Sequence, residues 1–357
     1  MVRTFSAYSQ RESSFELMRI IAQYMIIIYH ILLVFFYNEC ENPDLLYKAI
    51  WIPLHIAVPC YVLVSGYFGI KFSLKGLFRI IANLFIYGLC LYLIRVYALH
   101  ETHLVIRRTL FFISSTGQWF VRIYMYLYLL APVINRMIKS LSVQNRVLVL
   151  ILLAWISCWC GFMNFEPSLY EGKNLVHFCF LYLLGNTLSL YKEKLNQIAT
   201  YKVIIAYLLV NTLSAGGGYY ALLKAPQNTL LFNLFFSYNS MILILNAILF
   251  FVLFMRIKIK SVFINYIATS SLAIYMLHMF ILRHCFMDIV LWIQNNVQGH
   301  LLTISAVAAL AFITLFSCIV VDKLLSPCWK LSSRIAERVN QTKVGQIVAN
   351  YNQIYNK

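Results

Sequence analysis

The sequence predicts an all-α integral membrane protein of about ten transmembrane helices, with both termini cytoplasmic. Three observations carry that expectation. Of the 357 residues, 62% are hydrophobic and only 11% charged, whereas soluble domains carry about 25% charged residues; the mean hydropathy is +0.76. Apolar runs recur along the chain, each near the roughly 20 residues that a bilayer core requires. Lys and Arg gather at the ends of alternate runs, as the positive-inside rule demands. The formal net charge of +17 is therefore explained by topology, and no nucleic-acid partner is expected.

The predicted spans cover 15–37, 48–69, 78–99, 119–138, 147–164, 174–191, 202–222, 230–255, 262–285 and 300–321. The first run is too long for a signal-peptide core and lacks a small-x-small cleavage site, so it reads as a retained helix. The eighth run is interrupted by Ser237-Tyr238-Asn239-Ser240, which predicts a break or a tilt. The fourth and ninth are comparatively polar and are expected to face the bundle interior. With the N-terminus inside, the cytoplasmic cations are Arg3 and Arg11, then Lys71, Lys75 and Arg79, then Arg136, Lys139 and Arg146. Lys192, Lys194 and Lys202, the trio Arg256, Lys258 and Lys260, and the tail follow. The longest outer loops, 100–118, 165–173 and 286–299, are too short for a folded domain. Residues 1–322 are thus expected to form one multi-span domain, and 323–357 a basic cytoplasmic tail with an interfacial helix near Trp329–Val339. Gly216-Gly217-Gly218 marks a helix end or a close contact. The nine cysteines are scattered without a Cys-x-x-Cys and read as small apolar residues.

Candidate chemistry begins in the first span. Arg19 and His30 are eleven residues apart, about three helical turns, so they share a face and lie roughly 16 Å apart along the axis. Ionisable groups at membrane depth are costly and usually line a polar cavity. Imidazole titrates near neutrality and can take a proton from a hydroxyl or thiol, which makes His30 the leading catalytic candidate against the alternative of a packing histidine. The Arg19 fork suits phosphate, and Glu16, one turn earlier, can orient it; alone, Arg19 would read as a snorkelling arginine. Ser65-Gly66 permits close backbone approach. Lys75 and Arg79, with Lys71, form a basic cytoplasmic turn that suits a polyphosphate or simply records topology. Trp119 and Arg122 open the fourth span from outside, as an acceptor path or an interfacial belt. Tyr275 and His278 are i,i+3 neighbours in the ninth span. The remaining histidines, His55 and His177 among them, show no ligand spacing, so no metal is expected.

These residues resemble the membrane acyltransferase 3 family over roughly residues 12–322. The most specific element is Arg-x10-His, matched by Arg19 and His30. Ser65-Gly66-Tyr67 is similar to the family's Ser-Gly-aromatic element. Lys75 to Arg79 resembles its basic turn, with fewer arginines. Trp119 to Pro132 and Ile274 to His278 are also similar. The resemblance implies about ten spans, an acyl-CoA donor (acetyl-CoA for many members) supplied from the cytoplasm, and transfer to a hydroxyl of a sugar, polysaccharide or lipid-linked glycan. It implies His30 and Arg19 as catalytic residues, to which the helical spacing adds Glu16. Donor contacts would fall to Arg19, Ser65, Gly66, Lys75 and Arg79, and acceptor contacts to Trp119, Arg122, Tyr275 and His278. It also implies the inner membrane of a bacterium, with separate glycan-assembly proteins as possible partners. A transporter or flippase for a lipid-linked glycan is the competing reading, since intramembrane Arg and His also serve translocation, but no repeated halves are visible. A glycan polymerase or ligase would need larger outer loops than these.

Overall fold

The structure, a computed structural model, describes residues 11–37, 45–101, 119–161, 163, 167–224, 229–343 and 345–347. These residues are helical with short connections, and no strand occurs among them. In chain order the helices are α1 (Ser13–Tyr37), α2 (Leu45–Trp51), which passes through a 3-10 turn at Ile52–Ile56 into α3 (Ala57–Phe68), and α4 (Leu74–Leu93). Then come α5 (Trp119–Ser140), α6 (Val143–Ala154), α7 (Leu175–Leu190), α8 (Lys192–Gln197) and α9 (Thr200–Lys224). The rest are α10 (Thr229–Phe236), α11 (Met241–Arg256), α12 (Val262–Ala268), α13 (Ser271–Cys285), α14 (Met287–Asn296), α15 (His300–Leu324) and α16 (Ser326–Asn340). Caps set several of the starts: Ser73 accepts from Gly76 N at 3.0 Å and Asn174 from His177 N at 2.9 Å.

Every expected span coincides with helix, but the number able to cross is smaller than ten. Seven helical stretches are long and apolar enough among the described residues, and the bent pair α12–α13, with 55° between its axes, makes an eighth. Two expected spans fall short for different reasons. α7 has 16 residues, about 24 Å at 1.5 Å per residue, less than the ~30 Å core. α5 is long enough at 22 residues but carries Arg122, Arg136 and Lys139. The interruption at 237–240 is present between α10 and α11. Within 286–299, expected as loop, lies α14, whose Val290 and Ile293 are buried i,i+3 neighbours. Residues 102–118, most of one expected outer loop, lie outside the described residues.

The chain divides into two compact units, Met1–Phe68 with Leu148–Ile319, and Gly69–Val147 with Val320–Lys357. In the first unit α1 is the central column. Ser13 Oγ accepts from Ser261 N at 2.9 Å at the start of α12. Tyr61 on α3 donates to Arg19 O at 2.6 Å, and Gln23 donates to Ser271 O at 3.2 Å on α13. Tyr24 donates to Ala308 O at 2.8 Å on α15, and Gln294 on α14 donates to Phe35 O at 3.3 Å. Gly217 and Gly218 lie inside α9 against Phe235 and Ile52, so this glycine run serves close contact.

α3 and α7 meet backbone to backbone. A Cβ on Gly66 would stand 2.0 Å from Tyr182 O, and one on Gly185 2.2 Å from Leu63 O. Small residues at such crossings allow the van der Waals contact that holds helices together in lipid. In the second unit α16 packs on α4. The buried Tyr87 hydroxyl donates to Asp322 Oδ1 at 2.6 Å, and Trp329 Nε1 donates to the same oxygen at 3.0 Å. Ser332 donates to Asn83 Oδ1 at 3.0 Å. The helix expected near Trp329–Val339 is therefore present.

Gly66→Ala is expected to destabilise the first unit by about 1–3 kcal/mol through overpacking against the α7 backbone. The unfolding temperature in detergent should fall, while Gly216→Ala, where a Cβ meets nothing within 4 Å, should leave it unchanged.

Candidate functional site

The expected pair on α1 occupies two separate levels. Near the start of the helix, Glu16 is buried and accepts from Arg11 Nη1 at 3.3 Å and from Arg19 Nη1 at 3.1 Å. A carboxylate between two guanidiniums leaves one net positive charge there. Arg19 Nε is buried and has no hydrogen-bond partner. Buried donors are normally satisfied, so this one is available to an acceptor.

Three turns further along, His30 meets His278 of α13, their ring centroids 5.1 Å apart. The two imidazoles are held differently. His278 is buried, and its Nδ1 lies 2.8 Å from Ile274 O. A carbonyl oxygen can only accept, so in the neutral ring Nδ1 carries the proton and Nε2 the lone pair. That Nε2 is buried without a partner. The Nδ1 of His30 is likewise buried without a partner, so no bond at that nitrogen fixes its tautomer. Side by side stand one imidazole locked as an Nε2 acceptor and one free to present either form. Tyr275 stands 6.3 Å from His278, ring to ring.

An aromatic wall adjoins the pair. Tyr29 is edge-on to His30 at 4.9 Å and stacks on Trp51 at 4.8 Å. His55, in the 3-10 turn before α3, is edge-on to Tyr29 at 4.9 Å and to Trp51 at 4.4 Å. Pro53 lies in the first turn of that 3-10 segment, where its missing N–H costs no hydrogen bond. Sequence reasoning set His55 aside for want of a ligand pattern. Its signal was there: a histidine two residues after Pro53, in an apolar run.

The other expected residues are placed as follows. Ser65 Oγ donates to Tyr61 O at 2.8 Å within α3, and Gly66 faces the α7 backbone. Lys75, Arg79, Trp119 and Arg122 belong to the second unit. Lys75 pairs with Glu337 of α16 at 2.7 Å, Arg79 is exposed, and Arg122 is half-buried on the first turn of α5.

A second polar node was not foreseen. Ser157 Oγ lies 2.9 Å from His177 Nδ1, and Asn239 Nδ2 donates to Ser157 O at 3.0 Å. It ties a π-helical turn (Trp155–Cys160), the start of α7 and the α10–α11 break. Among the described residues no group of three or more His, Cys, Asp or Glu is arranged to hold a metal ion.

Residues 12–323 match the family model described as an acyltransferase domain, acyltransferase 3. Comparisons with curated proteins and with solved structures find no match.

The Lys75–Glu337 pair gives a pH prediction. Lys75 holds the Glu337 carboxyl below its usual range. The charged pair is complete at neutral pH and is lost as pH falls through that lowered value. Protection against hydrogen exchange across 326–340, taken relative to the intrinsic rate at each pH, should therefore fall in acid, and in high salt, since the pair is solvent-exposed. In Glu337→Gln that protection should be low at every pH.

Proposed function

Because the chain belongs to the acyltransferase 3 family, a family of membrane acyltransferases, we propose that it moves an acyl group, acetyl in the simplest case, from cytoplasmic acyl-CoA to a hydroxyl of a sugar, polysaccharide or lipid-linked glycan. The observation that carries this is the His30–His278 pair: a buried imidazole with an open nitrogen beside one fixed as a hydrogen-bond acceptor.

In the proposed reaction His30 is the general base. It takes the proton of the acceptor hydroxyl as the oxygen attacks the thioester carbonyl. The C–O bond forms and the C–S bond breaks. The departing sulfur takes the proton back from the imidazolium, leaving neutral His30, an ester and free CoA. Relay of the acyl group through His30 itself satisfies the same geometry. His278 Nε2 accepts from the hydroxyl or from the His30 ring and orients whichever it holds. Tyr275 shapes that wall.

Arg19, with its open buried Nε, is assigned to the donor phosphates. Glu16 holds the guanidinium in place and lowers the local charge. Donor contacts at Lys75, Arg79, Ser65 and Gly66, and acceptor contacts at Trp119 and Arg122, rest on the sequence resemblance. The bacterial inner membrane rests on it too, whereas ten spans, cytoplasmic termini and the division into 1–322 and a tail rest on the hydropathy and charge pattern. Seven to eight crossing-competent helices and a net charge of +17 support the membrane assignment itself.

His30→Ala in folded, purified protein is expected to lower acetyl transfer by about 100-fold or more, the usual weight of a general base. Full activity in that variant overturns the assignment. Transport of a lipid-linked glycan with no acyl-CoA turnover would identify the protein as a transporter instead.

A further inference from the structure

Resting on that reading, we propose that His55, Trp51 and Tyr238 form an acceptor subsite that binds a sugar ring and one of its hydroxyls beside His30.

The argument starts from the tautomer of His55. The residue is buried, 5% exposed, and its Nδ1 lies 3.0 Å from Ile52 O. As at His278, a carbonyl partner fixes the proton on Nδ1 in the neutral ring and leaves the lone pair on Nε2. No hydrogen bond to that Nε2 occurs among the described residues. What that acceptor nitrogen can bind depends on its surroundings, which are aromatic. Trp51 and Tyr238 flank His55, with ring centroids at 4.4 and 5.8 Å. Phe236 closes on Trp51 at 5.6 Å. Ligand sites combine apolar and aromatic walls with a few placed polar groups. An aromatic face with an adjoining acceptor suits a sugar, which offers an apolar C–H face and hydroxyl donors along its edge.

A carboxylate or phosphate fits poorly. It brings no proton for Nε2. The subsite adjoins the reacting pair through Tyr29, which touches His30 and His55 at 4.9 Å each. His55 and His278 then play matching parts. Each is pinned by a carbonyl of its own preceding turn, and each offers one acceptor in a fixed direction.

The test uses full-length protein in detergent with radiolabelled acetyl-CoA. Acceptors are the methyl glycosides of a hexose, an N-acetylhexosamine and a 6-deoxyhexose. The wild type is expected to acetylate at least one of them saturably. His55→Phe, which keeps the ring and removes the acceptor nitrogen, is expected to raise the acceptor KM about tenfold, the weight of a lost neutral hydrogen bond. The KM for acetyl-CoA and the slow release of CoA to water should not change. His55→Gln, which restores an acceptor oxygen, should recover part of the loss, and serves if His55→Phe does not fold. An unchanged acceptor KM in a folded variant, or a raised acetyl-CoA KM, overturns the subsite. So does turnover of acetyl-CoA to water by a wild type that acetylates none of the glycosides. A wild type that does not turn over acetyl-CoA at all overturns the transferase reading beneath it.

Discussion

The placement of the candidate site depends on how α1 is held. Five polar contacts fix it at successive heights, from Ser13 against Ser261 through Arg19 O, Gln23 and Tyr24 to Phe35 O. Four of them end on main-chain carbonyls of neighbouring helices or of α1 itself, so they specify the register of one helix against another. In lipid, apolar side chains gain nothing by leaving the hydrocarbon, and interhelical hydrogen bonds are worth only about 0.6 kcal/mol each. Their value here is positional. A slip of α1 by one residue would turn His30 about 100° away from His278.

The α3–α7 crossing complements this. Where Gly66 and Gly185 bring two backbones together, the helices cannot part without losing a dense set of contacts. Tyr61 then carries the position of α3 across to α1 at the Arg19 carbonyl. Arg19 and His30 therefore ride on one column braced from several directions. The role proposed for His30 needs such bracing, because a general base must stand within hydrogen-bond reach of its proton.

Much of this was legible in the sequence where one helix carries the whole signal. Arg19 and His30 share a face because eleven residues close three turns, and Glu16 reaches Arg19 across one. The Ser237–Ser240 interruption announced the α10–α11 break. Features that need two distant segments were not legible. His55 gains meaning only when its turn lies against Tyr29. The Ser157–His177–Asn239 node joins residues 20 and 82 apart in sequence, and Lys75 meets Glu337 across 262. Hydropathy marked ten ranges as spans, of which seven or eight are long and apolar enough among the described residues; α7 stops after 16 residues, and where a helix ends is set by caps and neighbours more than by average polarity.

The pinned tautomers have a consequence for what can linger in the chamber. With Nδ1 held by a carbonyl, His55 and His278 each keep Nε2 as an acceptor at a fixed place. A hydroxyl entering it is welcomed. A carboxylate, the by-product of any hydrolysed thioester, meets lone pair against lone pair at those two nitrogens. The same geometry that orients an alcohol thus works against retention of a spent acid. An idle turnover would clear the chamber for the next acceptor.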